Sequence, residues 1–154
     1  MMIKKKMLVM NNVISVQKVV MNSQEIDKVA FDLRRAVISK GLYPTGPIVY
    51  QQRQLEGGTY EYTLYVSVNQ PIEIKEEGNI KFIPRLEITQ GLCMRHMSMD
   101  DDVTREYLLL EECAKRNHME LEKPYYQICM NVYGETIIDV FAPISGENNN
   151  DNEL

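Results

Sequence analysis

Tryptophan is absent from the 154-residue chain, and cysteine, phenylalanine and histidine are scarce, at three, three and two residues. Cys93, Cys113 and Cys129 are odd in number and far apart, so neither a disulfide framework nor a zinc knuckle is signalled. They read as small apolar fillers. Long apolar runs are also missing: Lys4, Lys5 and Lys6 precede only Met7 to Met10, too short for a signal peptide or a membrane span. A cytoplasmic protein with no membrane partner is expected. Positive charge is not in excess either, since 17 basic and 22 acidic residues leave −5, which argues against a protein that grips nucleic acid through net charge. No nucleophile elbow, phosphate-binding glycine loop or metal-ligand cluster occurs, so no cofactor or metal is expected.

What is present suits one domain. Hydrophobic residues make up 44% of the chain, enough for a single sizeable core, and ten methionines suggest a deformable interior or an adaptable binding surface. Residues 1–145 are expected to form that domain. The polar stretch from Gly146 to Leu154 lacks apolar anchors and reads as a disordered tail.

Helical spacing of Ile26, Val29, Ala30, Leu33 and Val37 predicts a helix from Ser23, a capping residue, to Lys40, with Gly41 ending it. Val103, Tyr107, Leu110 and Ala114 predict a second from Asp100 to Asn117, with Asp100 to Asp102 at the positive end of its dipole and His118 marking its close. One offset relates them. Ser23 and Asp100, Ile26 and Val103, Ala30 and Tyr107, Leu33 and Leu110, and Val37 and Ala114 are each 77 positions apart. Pro47 and Pro124 keep the same offset, and each opens a strand, Ile48 to Gln52 or Tyr125 to Tyr133. A further strand follows in each half, Tyr60 to Asn69 or Glu135 to Ala142, ending at Pro71-Ile72 or Pro143-Ile144. The first hairpin is longer and turns through Gly57 and Gly58, whereas the second turns tightly at Tyr133, Gly134 and Glu135.

Strands also precede the helices, Val13 to Met21 and Leu92 to Met99, with one more at Lys81 to Ile88 in the linker. The expected fold is therefore α+β: two pseudo-symmetric β-α-β-β halves, about 13–72 and 80–144, forming an antiparallel sheet with helices on one face.

Alternation along the strands divides the residues between a helix-covered and an open face. Tyr62, Leu64, Val66 and Val68 are expected to pack on the helices, with Glu61, Thr63, Tyr65, Ser67 and Asn69 facing away. In the second half Tyr126, Ile128, Met130 and Val132 form the apolar set, leaving Tyr125, Gln127, Cys129, Asn131 and Tyr133 open. Two such faces side by side would make a groove of rings with polar tips, a usual composition for a small-molecule site. A one-sided antiparallel sheet also shows an alternating polar face to plain water. The candidate ligand-binding residues are Glu61, Tyr65, His96, Tyr125, Gln127 and Asn131.

Taken with Tyr107, Tyr125 to Ile128, the Leu92 to Met99 strand carrying His96, and the closing Ala142-Pro143-Ile144, this order of elements resembles the GyrI-like superfamily. That superfamily includes gyrase-inhibitory proteins and effector-binding domains of multidrug-sensing activators. The resemblance implies a non-catalytic binding domain. In such effector domains a Glu after the second helix pairs with lipophilic cations, and the matching position here is Gln127, which carries no charge. Gln127→Glu is expected to raise affinity for lipophilic cations if the correspondence holds.

Two functions follow as expectations. The first is a domain that senses or sequesters a small apolar or aromatic molecule, without DNA binding of its own because Met1 to Asn12 is too short for a helix-turn-helix. The second is a module that docks on a protein partner, as gyrase-inhibitory relatives do. Hydrolysis of small electrophiles by His96 and Glu61 is the lesser alternative.

Overall fold

The computed structural model describes residues 2–22, 24–75, 78–97, 100 and 102–147. They form seven strands and two helices: β1 (Lys4–Val20), α1 (Gln24–Ser39), β2 (Ile48–Gln54), β3 (Tyr60–Ser67), β4 (Ile80–Arg95), α2 (Thr104–Arg116), β5 (Met119–Leu121), β6 (Tyr126–Val132) and β7 (Glu135–Glu147). The class is α+β, with the β-α-β-β repeat visible. The described residues fall into two compact units, one within Val9–Glu87 and the other within Met1–Leu8 and Ile88–Leu154.

In the first unit β3 pairs antiparallel with β1 on one side and β2 on the other. Tyr62, Leu64 and Val66 point from β3 towards α1, as alternation requires, and with Val68 just after the strand they join Ile14, Val16, Ile26 and Val37 in its core. Burying a Val or Leu side chain stabilises by roughly 1.5–3 kcal/mol. α1 stops where the backbone turns left-handed at Gly41 (φ 78°). There Gly41 N–H donates to the Ile38 carbonyl and Leu42 N–H to the Val37 carbonyl. That paired closure requires a residue tolerant of positive φ.

The second unit repeats the arrangement, with β7 pairing antiparallel with β4 and β6. Leu92, Met94, Val103, Leu110, Ala114, Tyr125, Ile138, Val140 and Ala142 form its core. Tyr133 (φ 52°) and Gly134 (φ 82°) make the tight β6–β7 turn, since two positive φ values match the twist of the flanking strands.

Several boundaries differ from expectation. β1 begins at Lys4, nine positions before Val13. The linker strand at Lys81 to Ile88 and the strand at Leu92 are one, β4, because Gly91 continues the ladder opposite Pro143. β7 runs through Pro143-Ile144 to Glu147, because β5 supplies a partner there: Leu121 pairs with Ile144 and Glu120 with Gly146. Gly146 therefore belongs to a strand and not to a disordered tail. Residues 148–154 of that tail, and the capping Ser23, lie outside the described residues. α2 starts at Thr104, not Asp100, because aspartate side chains take the preceding N–H groups. Asp100 accepts from Asp102 N–H at 3.1 Å and Asp102 from Thr104 N–H at 3.0 Å, an arrangement that competes with helix.

The largest correction concerns β6. Its expected faces are reversed: Tyr125 and Cys129 pack with the α2 core, and Gln127 bonds to Tyr107 of α2. Tyr126 lies on the opposite face against Phe141, with ring centroids 6.2 Å apart. Both faces of this strand are buried, Tyr126 at 8% and Gln127 at 3% exposure, so hydrophobicity alone misassigned them.

Candidate functional site

Two polar constellations stand out, one in each unit. The first gathers beneath the start of α2. His96 follows β4 and keeps its backbone in the ladder, donating N–H to the Ile138 carbonyl at 2.8 Å. The period-two alternation that sends Leu92 and Met94 into the core sends the imidazole there too. Nδ1 lies 2.8 Å from Oε1 of Glu106, and Nε2 bonds to the Asp100 carbonyl oxygen. Glu106 is 5% exposed and its Oε2 has no hydrogen-bond partner among the described residues.

Because a carbonyl oxygen only accepts, Nε2 carries a proton. Burial pulls the His96 pKa down, but the bonds to Asp100 and Glu106 and their negative charge outweigh it and hold it above the ordinary value. Beside the pair is a depression of about 380 Å³ lined by His96, Met97, Asp100, Asp102, Arg105 and Glu106.

One turn further along, α2 turns Tyr107 and Glu111 onto β6. Gln127 Nε2 donates to the Tyr107 hydroxyl at 3.1 Å, and the Tyr125 hydroxyl donates to Glu111 at 3.1 Å. The two tyrosine rings meet edge-on with centroids 5.0 Å apart. Burial raises both phenol pKa values, the Glu111 charge adding to the effect at Tyr125. Tyr125, Gln127 and His96 are thus engaged with α2.

The second constellation is on the face of β2 and β3 turned away from α1. The Tyr65 hydroxyl donates to Oε1 of Gln51 at 2.6 Å. Glu61 stands directly opposite Arg53 and pairs with it at 2.8 Å, with Thr63 opposite Gln51 between them. Asn131, the remaining candidate, is exposed beside the β6–β7 turn, where its side chain accepts from Gly134 N–H at 3.1 Å. The structure therefore groups Tyr65 with Glu61 in one unit and Tyr125 with Gln127 in the other, and engages Asn131 in its own turn.

Sequence reasoning passed over Glu106, Glu111 and Gln51. Glu106 had a signal, since it falls three after Val103 and four before Leu110 on the packed face of α2. Among the described residues no group of three His, Cys, Asp or Glu side chains is placed to hold a metal ion. No helix among them is long and apolar enough to cross a membrane.

A family model described as a domain of unknown function (DUF5085) matches residues 9–146. The chain belongs to the DUF5085 family. No curated protein matches this DUF5085 chain. In a cryo-EM structure of an EcmrR–DNA complex, the EcmrR chain is similar in fold at a TM-score of 0.72 and 16% identity. That match covers 92% of the DUF5085 chain and 57% of the EcmrR chain, so the chain spans little more than half of that relative. The crystal structure of the EcmrR C-terminal domain matches at 0.64 and 16%, over 96% of this chain and all of that one. A hydrolase from Listeria innocua matches at 0.59 and 11%, over 92% of each. At such identities the likeness is one of fold, and the fold is GyrI-like.

Proposed function

We propose that this domain binds a small neutral molecule, partly aromatic, on the β2–β3 face that carries Tyr65, Gln51, Thr63 and Glu61. The observation that carries the reading is the Tyr65–Gln51 hydrogen bond, which holds a ring and an amide together on the side of the sheet that α1 leaves alone. Rings with polar tips are suited to a ligand of mixed character. Glu61, the carboxylate of this face, is matched by Arg53, and Gln127 adds no charge in the second unit. The Coulomb attraction that would select a lipophilic cation is therefore weak. The likeness of the whole fold to the EcmrR C-terminal domain supports a binding role.

Tyr125, Gln127 and His96 support the α2 layer in this reading, and Asn131 supports its turn. The fold is shared with a hydrolase, yet catalysis is not the reading we favour. The Nε2 proton of His96 is committed to a carbonyl and Nδ1 to Glu106, so the ring offers no lone pair to a water.

The test is a thermal-shift screen of neutral aromatics, lipophilic cations and lipids, followed by calorimetry on Tyr65→Phe and Gln51→Leu. A ligand at a hundred times its Kd stabilises by about 2.7 kcal/mol. Neutral aromatics should give the larger shifts, and both variants should bind them more weakly. A screen without hits, or variants that bind as the parent does, would defeat the proposal.

A further inference from the structure

On the face of the first unit turned away from α1, the residues most withdrawn from water include two serines. Ile14, Val16, Leu64 and Val66 face α1, so alternation sets Val13 and Ser15 of β1 beside Tyr65 and Ser67 of β3 on the other side. Pairing makes them neighbours, with Ser15 directly opposite Tyr65 and Val13 opposite Ser67. Ser15 is 7% exposed and Ser67 8%. From this closed end the face opens along the strands, through half-buried Thr63 and Gln51, to Arg53, which is exposed opposite Glu61.

The second unit shows that the fold itself asks for no hydroxyl at these places. β7 sets Phe141 opposite Cys93 and Pro143 opposite Gly91, as β3 sets Tyr65 opposite Ser15 and Ser67 opposite Val13. Cys93, Phe141 and Pro143 therefore stand where Ser15, Tyr65 and Ser67 do. One unit carries three hydroxyls at positions that the other fills without any. A hydroxyl withdrawn from water destabilises unless it is hydrogen-bonded, and packing alone would favour the set found in the second unit.

We propose that Ser15 and Ser67 form the head-group end of the site on this face and select an aromatic ligand whose neutral head both donates and accepts a hydrogen bond, a phenol hydroxyl or a primary carboxamide. This rests on the ligand-binding role proposed for the Tyr65–Gln51 face. A serine hydroxyl both donates and accepts, so a pair of them matches a head that does the same. No charged residue stands among Val13, Ser15, Val49, Tyr65 and Ser67, so an ionised head would lose its water without gaining a counter-charge. Arg53 and Glu61 form the row four residues further along, roughly 13 Å away at the rise of a strand, and are engaged with each other. Between the two ends lies the Thr63–Gln51 row, over which the ring of the ligand extends.

Calorimetry of the full chain with a matched naphthalene series, differing only in a hydroxyl, carboxamide, carboxylate or methyl substituent, tests this. The hydroxyl and carboxamide compounds should bind on the order of tenfold more tightly than the methyl compound, as one well-made hydrogen bond allows, and more tightly than the carboxylate. In Ser15→Cys, which copies Cys93, and in Ser67→Ala, that preference should shrink towards none. Both changes keep the Cβ and alter the volume little, thermal melts check that each variant is folded, and the parent's preference is read without any variant. Variants that keep the parent's preference, or a parent that prefers the methyl or carboxylate compound, would overturn the inference. If Tyr65→Phe weakens the whole series in that case, the binding role of the face stands without it; if Tyr65→Phe is silent too, both fall. A series that does not bind at all overturns the inference whatever a wider screen returns.

Discussion

Replacing Gly91 with alanine probes how β4 is packed. A Cβ at Gly91 would stand 2.2 Å from Cζ of Phe141 and 2.6 Å from each Cε, where carbon atoms settle at about 3.5–4.0 Å. The ring would have to withdraw by roughly an ångström. Little room is available: Phe141 is 1% exposed, sits opposite Cys93 on β4, and meets Tyr126 edge-on. Overpacking of this kind costs ~1–3 kcal/mol. Against it, removing the freedom of a strand glycine in the unfolded chain returns ~0.5–1 kcal/mol. With so close an approach the net loss should be ~1–2 kcal/mol, and Tm should fall by roughly 2–8 °C. Urea titration should show a lower midpoint with an unchanged slope. Phe141→Leu removes the ring and is destabilising alone, through the cavity it leaves. In combination the two changes should cost less than their sum by ~0.5 kcal/mol or more, because they relieve each other. A Gly91→Ala protein as stable as the parent, or strictly additive losses, would refute the account of this contact.

Other expectations follow from the second unit. Glu106→Leu removes the buried partner of His96 and should cost on the order of 3–5 kcal/mol, read as a drop in the denaturation midpoint. His96 has a folded pKa raised above its unfolded value, so the stability it contributes is complete below its ordinary value of about 6.5 and is lost as pH rises through the folded value. The denaturation midpoint should therefore decline as pH rises above about 6.5, and in Glu106→Gln the His96 titration followed by NMR should move to lower pH. Gln127→Glu places a carboxylate at a 3%-exposed site beside the Tyr107 hydroxyl. Stability should fall by ~1–3 kcal/mol at neutral pH and recover in acid as the group protonates, and unchanged stability would mean the site is wetter than described. Gly134→Ala forces a side chain into φ 82° and should cost ~1 kcal/mol by the same titration.

The repeat was legible because both halves solve the same packing problem with residues at one spacing. Val37 and Ala114, 77 positions apart, are both buried against their own strands, and the glycine-dependent turns fell where expected. Strand ends were less legible. They depend on partners remote in sequence, as when β5 extends β7 past Pro143. The facing of β6 failed for a different reason. Choosing the more apolar alternate set presumes that only one face is buried, yet Tyr126 and Phe141 are buried on the face opposite α2.

The duplication itself held the correction. Tyr50 packs towards α1 from β2, and the position 77 further on is Gln127, so the repeat places Gln127 under α2 without any appeal to hydropathy. The consequence reaches the chemistry of the site. A residue under a helix must satisfy its polar atoms locally, and Gln127 does so with Tyr107. The equivalent of Phe141 is Tyr65, since β3 sets Tyr65 opposite Val49 just as β7 sets Phe141 opposite Tyr126. One half therefore carries a purely apolar ring at the position where the other carries a ring with a hydroxyl and an amide partner. That difference between otherwise matched halves is the reason to look for ligand recognition at Tyr65 and Gln51 first. It also explains why a search guided by charge passes over them: Tyr65 and Gln51 are neutral.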